Sequence, residues 1–114
     1  MKQYDVIVVG TGGANIVVDA AQRKGLRIAQ IEKGKFGGTC LTRGCIPTKV
    51  MVTAANAVRE VEDFKKIGIQ VGPATIDWDV MSKRVWHMID EHKDIYKYYN
   101  AFDNVDVYRG VATF

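Results

Sequence analysis

The chain is most constrained by a short β-branched run that leads straight into a cluster of glycines. The run is Val6–Val9, and Gly10–Gly13 follows it at once. A continuous apolar run of this kind is typical of a strand that is buried on both faces of a parallel sheet. The sequence therefore predicts a buried strand that ends in a tight turn.

A helix and a second strand are predicted after the turn. Residues 15–24 carry apolar side chains at helical spacing, and Gly25 is placed to end the helix. Residues 26–31 form a second apolar run that ends at Glu32. Strand, glycine turn, helix and strand make one βαβ unit with an expected right-handed crossover. The predicted fold class is α/β, a Rossmann-like parallel sheet of three or so strands with flanking helices.

Two longer helices are predicted in the middle of the chain, after a glycine-containing loop over residues 33–44. The first helix starts at Ile46, with Pro47 in its first turn, where a missing N–H costs little. The second is N-capped by Asp77 and runs to about Tyr99. The predicted apolar stripe of the first helix is Val50, Met51, Ala54, Ala57, Val58, Val61 and Phe64. The predicted apolar face of the second is Met81, Val85, Met88, Ile89, His92, Ile95, Tyr96 and Tyr99.

A third strand is predicted near the end of the sequence. Its apolar residues lie between Val105 and Val111, with a bend or close approach at Gly110. The sequence stops at Phe114, within strand-like sequence. We therefore expect the fold to be incomplete at the C-terminus.

The glycine turn has the layout of a dinucleotide-binding motif. Gly10 can make the tight turn, and Gly12 lets the backbone approach a pyrophosphate. The helix that follows offers unpaired N–H groups and the positive end of its dipole to the anion. The third glycine of the usual pattern is Asn15 here. Gly13 and Ala14 are expected to supply part of the room that this glycine normally leaves.

An acidic residue strengthens the interpretation of the turn. Glu32 lies about 20 residues after the glycines, where an acid binds the ribose hydroxyls of a dinucleotide. A glycine pattern alone is weak evidence, but this one follows a strand, opens a helix and lies in a βαβ unit. The alternative interpretation is a tight glycine turn without a ligand.

The two cysteines of the chain are five residues apart. In an ideal helix, Cα atoms at this spacing are roughly 8–9 Å apart, whereas a disulfide tolerates only about 7 Å. Either Cys40 and Cys45 stay apart, or the backbone between them departs from an ideal helix, which Gly44 makes feasible. A disulfide across so short a loop should be easily reduced. The helix that begins beside Cys45, together with Lys49 one turn along, favours the thiolate of that cysteine.

Composition disfavours several other classes of function. The 114 residues include 16 Lys+Arg and 13 Asp+Glu, a net charge of +3, and no basic, aromatic-rich patch indicates nucleic acid. No apolar run approaches the ~20 residues needed to span a bilayer, and a secretory pattern is not seen, so a cytoplasmic protein is expected. A zinc site needs about four ligands. His87 and His92 do not share a helix face well, so no metal is expected, and His87 is expected to be exposed.

The segment around the cysteines resembles the active-site signature of the pyridine nucleotide–disulfide oxidoreductases. This is the family of dihydrolipoyl dehydrogenase and of glutathione, mycothione and mercuric reductases. The matching segments are Gly37–Cys40 and Cys45–Lys49. The glycine turn, Glu32 and the closing segment Gly110–Phe114 also match, so the resemblance covers essentially the whole chain.

The resemblance implies a redox-active disulfide beside an FAD. Cys40 would be the interchange thiol that attacks the substrate disulfide, and Cys45 would face the flavin as the charge-transfer thiolate. Lys49 would lie near the flavin ring, and Ala112 would meet the adenine through its backbone. The predicted cofactor-binding residues are Gly10, Gly12, Gly13, Ala14, Glu32, Lys33, Gly38, Thr39, Cys40, Lys49 and Ala112.

By this resemblance, residues 1–114 are the N-terminal part of an FAD-binding domain. The NAD(P)-binding domain and the dimer-interface domain of the family would lie outside this chain, in a homodimeric parent protein. The predicted activity is NAD(P)H-dependent dithiol–disulfide exchange with a lipoyl or small-molecule substrate, most like dihydrolipoyl dehydrogenase. The alternatives are reduction of mycothione or another low-molecular-weight disulfide, and a non-catalytic module that binds FAD or ADP. Residues 1–114 alone are expected to be inactive.

Overall fold

A three-stranded parallel sheet organises the computed structural model, which describes residues 1–91 and 94–114. Its strands are β1 (Val6–Val9), β2 (Ile28–Glu32) and β3 (Val105–Arg109), with β2 in the centre. Within this register Val8 pairs with Gln30, and Gln30 pairs with Val107. The predicted α/β fold with a parallel sheet is therefore confirmed.

Of the described α-helices, two pack against the sheet, two pack against each other, and one is a short helix of five residues. They are α1 (Asn15–Arg23), α2 (Gly38–Thr42), α3 (Cys45–Asp63), α4 (Trp78–Asp90) and α5 (Asp94–Asn100), with a short 3-10 helix (Phe64–Ile67) after α3. α3 packs against α4, and the molecule extends over 70 × 25 × 25 Å. As predicted, Asp77 caps α4, because its carboxylate accepts a hydrogen bond of 3.1 Å from the N–H of Val80.

The core lies between one face of the sheet and the helices α1 and α5. Its buried residues are Val8, Val18, Ala21, Ile28, Tyr99 and Val105. The Tyr99 hydroxyl donates a 2.9 Å hydrogen bond to Asp19, which ties α5 to α1. Asn104 donates to the carbonyl of Leu26 at 2.8 Å and so fixes the turn before β3. These contacts join α1, α5 and the starts of β2 and β3.

The prediction that β1 is buried on both faces is wrong. Ile7 and Val9 are 63% and 55% exposed, because the core helices pack on the opposite face, where Val8 lies. The run of apolar residues indicates a strand correctly. It does not reveal which face is covered by the described residues.

Two other element predictions and the predicted apolar stripe of α3 need correction. The predicted loop over residues 33–44 contains the helix α2, and β3 ends at Arg109, so Val111 lies beyond the strand. Within the predicted helix over 77–99 the structure describes α4 and α5, and residues 92 and 93 between them are not described. His92 therefore lies outside the described residues. The predicted stripe of α3 is only half-buried at best, with Met51 and Ala57 exposed.

Candidate functional site

The turn between β1 and α1 presents unpaired backbone donors. The N–H of Gly10 donates to the carbonyl of Ile31 at 2.7 Å, which seats the turn on β2. Within residues 1–91 and 94–114, no hydrogen bond is made by the N–H groups of Gly12, Gly13 or Ala14. Three consecutive unpaired donors at the start of a nine-residue helix, with the positive end of its dipole, are an arrangement that can bind an anion.

A close backbone crossing joins the glycine turn to the cysteine segment. A Cβ atom added to Gly38 would lie 2.4 Å from the Cα of Gly12, and Gly38 has a φ of +67°. A Cβ on Gly12 would in turn lie 3.4 Å from the Cα of Gly38. Only glycine fits both the space and the left-handed conformation at position 38. This crossing brings the glycine turn against the start of α2, two residues before Cys40.

Glu32 is the acceptor at the centre of this junction. Its Oε2 accepts hydrogen bonds from the N–H of Thr11 at 3.0 Å and from the Thr11 hydroxyl at 2.8 Å, and its Oε1 accepts from the N–H of Gly34 at 2.7 Å. Partial burial acts to raise the pKa of Glu32. The hydrogen bonds from Gly34, Thr11 and Lys33 outweigh it, so the pKa lies below its ordinary value. The carboxylate is held ionised and oriented at the end of β2.

The lowered pKa of Glu32 predicts an acid-sensitive junction. The stabilisation that ionised Glu32 gives to the folded state is present above its unfolded-state pKa of 4.5. This stabilisation is lost as pH falls through the lower folded-state pKa. We expect Glu32→Gln to reduce the loss of stability between pH 6 and pH 3 relative to the original chain. Urea unfolding midpoints at the two pH values measure this. Glu60→Gln, at an exposed position of α3, is the matched control, and an equal effect of both substitutions would contradict the prediction.

Thr11 is a site residue that the sequence prediction missed. It is 1% exposed, and its hydroxyl donates to Glu32 while accepting a 3.0 Å hydrogen bond from the N–H of Gly37. One side chain therefore links the turn, the end of β2 and the entry to α2. The only signal in the sequence is a hydroxyl residue between Gly10 and Gly12.

The two cysteines form a disulfide across the break between α2 and α3. Their Cα atoms are 4.6 Å apart, much closer than in a continuous helix. The backbone departs from helical geometry at Gly44, which has φ −126° and ψ −110°, as the sequence geometry requires for a closed pair. Cys40 lies inside α2 and Cys45 is the first residue of α3. Lys49 follows one turn later and is exposed.

Two cavities meet at Gly10 and Glu32. The larger, of about 630 Å³, lies between the glycine turn and α2 and is within the size range of ligand pockets. The smaller, of about 210 Å³, lies between β1, β2 and the segment after β3. An elongated ligand could therefore extend from one cavity to the other, past the carboxylate of Glu32.

The structure brings most of the predicted site residues to these two cavities. Those that line the larger cavity are Gly10, Gly12, Gly13, Glu32, Gly38, Thr39 and Cys40. Lys33 and Ala112 line the smaller cavity. Ala14, Cys45 and Lys49 line neither, and Arg43 is a cationic wall residue of the larger cavity that the prediction did not include.

No group of three or more His, Cys, Asp or Glu side chains in the described part of the chain could hold a metal ion. His87 is exposed as predicted, with 74% of its side chain accessible, and lies 3.1 Å from Glu91. No described helix is both long enough and apolar enough to cross a bilayer.

Comparisons with known proteins agree on one family. The family model described as pyridine nucleotide-disulphide oxidoreductase matches residues 4–111. Mycothione reductase of Mycobacterium tuberculosis is 37% identical over 113 residues, which are 96% of this chain and 24% of that protein. Dihydrolipoyl dehydrogenase of Bacillus subtilis is 33% identical over 111 residues. That of Chlamydia pneumoniae is 44% identical over 85 residues, which are 73% of this chain and 18% of that protein.

A solved structure supports the fold. It is the flavoprotein disulfide reductase RclA from Escherichia coli, determined as a Cu(II) complex. The TM-score is 0.75 at 24% identity, over 96% of this chain and 22% of the other. The chain thus spans about a quarter of the length of the relatives that it matches over nearly all its residues.

Proposed function

The chain belongs to the pyridine nucleotide-disulphide oxidoreductase family, and from that premise we propose that it carries the flavin-binding and redox-disulfide half-site of an FAD-dependent enzyme. The enzyme transfers electrons between NAD(P)H and a dithiol–disulfide pair. The observation that carries the proposal is the position of the closed Cys40–Cys45 disulfide. Cys40 lines the same cavity as the unpaired N–H groups of Gly12 and Gly13.

The residues of the chain fit an FAD. The N–H groups of Gly12, Gly13 and Ala14 would bind the pyrophosphate, and Glu32 would accept from the ribose, since a carboxylate oxygen can accept more than one hydrogen bond. Lys33 and Ala112 would border the adenine in the smaller cavity. Gly38, Thr39, Cys40 and Lys49 complete the proposed cofactor-binding set. When bound, FAD supplies the two electrons that reduce the Cys40–Cys45 disulfide, with NAD(P)H as their source.

The two cysteines exchange electrons with substrate by thiol–disulfide exchange. In the reduced protein, the Cys40 thiolate attacks one sulfur of a substrate disulfide, forming a mixed disulfide and releasing one substrate thiolate. The Cys45 thiolate then attacks the Cys40 sulfur, which releases the second thiolate and restores the Cys40–Cys45 bond. The start of α3 and Lys49 favour the Cys45 thiolate that this second step needs. Run in reverse, the same steps oxidise a dithiol.

A lipoyl group is the proposed substrate, as in dihydrolipoyl dehydrogenase. A second candidate is mycothione or another low-molecular-weight disulfide. The observation in its favour is the 37% identity to mycothione reductase over 96% of the chain. Assays of the full-length protein with dihydrolipoamide and NAD⁺, and with small disulfides and NADPH, separate the two. We also propose that an NAD(P)-binding domain and a homodimer-forming domain belong to the rest of a cytoplasmic protein.

Cofactor binding by residues 1–114 is a direct test. We expect the chain to bind FAD and to quench its fluorescence, giving a yellow protein, because both cavities are built from these residues. FMN is the control ligand, since it lacks the adenosine half and one phosphate, and it should bind at least tenfold more weakly. The chain alone should show no NADH-driven disulfide reduction. Equal binding of FMN and FAD, or steady-state turnover by the chain, would contradict the proposal.

A colourless chain that binds neither FAD nor ADP would oppose a flavin site in these residues. A chain that binds ADP and FAD equally well, and whose full-length form reduces no disulfide, would instead favour the non-catalytic nucleotide-binding module.

A further inference from the structure

A buried polar pair lies directly beneath the glycine turn. Gln30, in the middle of β2, is completely buried, and its Nε2 donates a 2.7 Å hydrogen bond to Oδ1 of Asn15. The same Nε2 lies 3.4 Å from the carbonyl of Gly10, and Nδ2 of Asn15 donates to the carbonyl of Thr11 at 3.1 Å. The two side chains therefore hold two successive carbonyls of the turn.

Gln30 is an unusual choice for this position. Its strand neighbours in register are Val8 and Val107, and a central strand of a parallel sheet is normally apolar. The Oε1 of Gln30 is buried without a hydrogen-bond partner among the described residues, which carries a desolvation cost. A leucine would fill the same space without this cost. The glutamine is thus unfavourable for packing, and its presence is explained by the hydrogen bonds from its Nε2 to Asn15 and to the Gly10 carbonyl.

Holding these carbonyls orients the donors on the other side of the turn. The C=O and N–H of one trans peptide unit point in opposite directions. With the Gly10 carbonyl held by Gln30, the N–H of Thr11 faces Glu32, to which it donates. With the Thr11 carbonyl held by Asn15, the N–H of Gly12 faces away from Asn15, in a residue that lines the larger cavity.

We propose that Asn15 and Gln30 are positioning residues that together set the direction of the N–H groups of Thr11 and Gly12, the second of which belongs to the proposed phosphate-binding set. Asn15 stands where the usual motif has its third glycine, and Gln30 is its partner on β2. Gln30 is completely buried and acts through the turn, whereas Asn15 also lines the larger cavity. The expected effect of this pair on FAD affinity rests on the proposed function, whereas its expected effect on the geometry of the turn does not.

Gln30→Leu in the full chain separates positioning from packing. We expect an affinity for FAD that is lower by on the order of tenfold, from the loss of two hydrogen bonds. The urea midpoint should change little, because removal of the buried, unpaired Oε1 offsets the cost of leaving Oδ1 of Asn15 and the Gly10 carbonyl without this donor. A purely structural role predicts that affinity and midpoint change together, and such a result would overturn the proposal. Gln70→Leu, at an exposed position, is the matched control and should stay within twofold of the original affinity.

Amide hydrogen exchange tests the same pair without any ligand. The Thr11 amide should exchange on the order of tenfold faster in the Gln30→Leu variant. In a separate titration with FAD, the double variant Asn15→Ala, Gln30→Leu should lose no more affinity than the weaker-binding single variant. If the original chain binds no FAD, the proposed function fails and the exchange rate alone decides the inference. Unchanged Thr11 exchange in the Gln30→Leu variant would overturn it, whether or not FAD binds.

Discussion

Substitution of Gly38 by alanine is expected to open the junction between the two halves of the site and to abolish FAD binding. The new Cβ would lie 2.4 Å from the Cα of Gly12 and 3.0 Å from its nitrogen, which are backbone atoms that cannot rotate away. The substitution also places a side chain at φ +67°. The left-handed conformation costs about 1–2 kcal/mol, and forcing apart packed atoms costs about 1–3 kcal/mol more.

The backbone cost and the packing cost of Gly38→Ala are together a large part of the roughly 5–15 kcal/mol by which a small domain is stabilised. Urea unfolding and FAD titration measure the two effects. Gly72→Ala is the matched control, because a Cβ there meets nothing within 4 Å and its φ is not positive. The control should keep the stability and FAD affinity of the original chain. A Gly38→Ala variant that binds FAD as well as the control would contradict the close crossing of Gly12 and Gly38.

Local sequence signals predict the elements that this crossing joins, but not the crossing. The strand Val6–Val9, the glycine turn and the cap at Asp77 each have a signature within a few residues, and each is present in the structure. Gly12 and Gly38 are far apart in the sequence, and neither residue indicates its partner. The same holds for Thr11, whose hydroxyl bridges Glu32 and Gly37. Contacts between distant loops are set by the whole fold, so a single sequence gives no measure of them.

The missed helix α2 has a related cause. It has five residues, begins at Gly38 and follows Gly37 as its N-cap, so it shows no apolar period and has low intrinsic helix propensity. Its support is tertiary and local: the Thr42 hydroxyl donates to the Gly38 carbonyl at 2.7 Å, and the disulfide joins Cys40 to the start of α3. Sequence geometry did predict that a closed pair requires a break in the helix. The structure has this break at Gly44, which precedes the first residue of α3.

Substitution of either cysteine is expected to remove disulfide reduction by the full-length enzyme, with different products for the two residues. Each should lower activity by roughly four orders of magnitude, as for other groups that act as one catalytic unit. Cys40 lines the larger cavity and Cys45 does not. The proposed order of steps assigns the attack on substrate to Cys40 and the resolving attack to Cys45.

A single-turnover reaction of the reduced chain with an aromatic disulfide distinguishes these roles. The original chain should release two thiolates per disulfide and return to the Cys40–Cys45 bond. Cys45→Ser should release one thiolate and keep the other half of the reagent on Cys40, since no second thiol resolves the mixed disulfide. Cys40→Ser should form its adduct more slowly, because Cys45 is the proposed resolving thiol. Mass spectrometry and thiolate absorbance follow both products. Faster adduct formation at Cys45 than at Cys40 would reverse the assignment while leaving the redox pair intact.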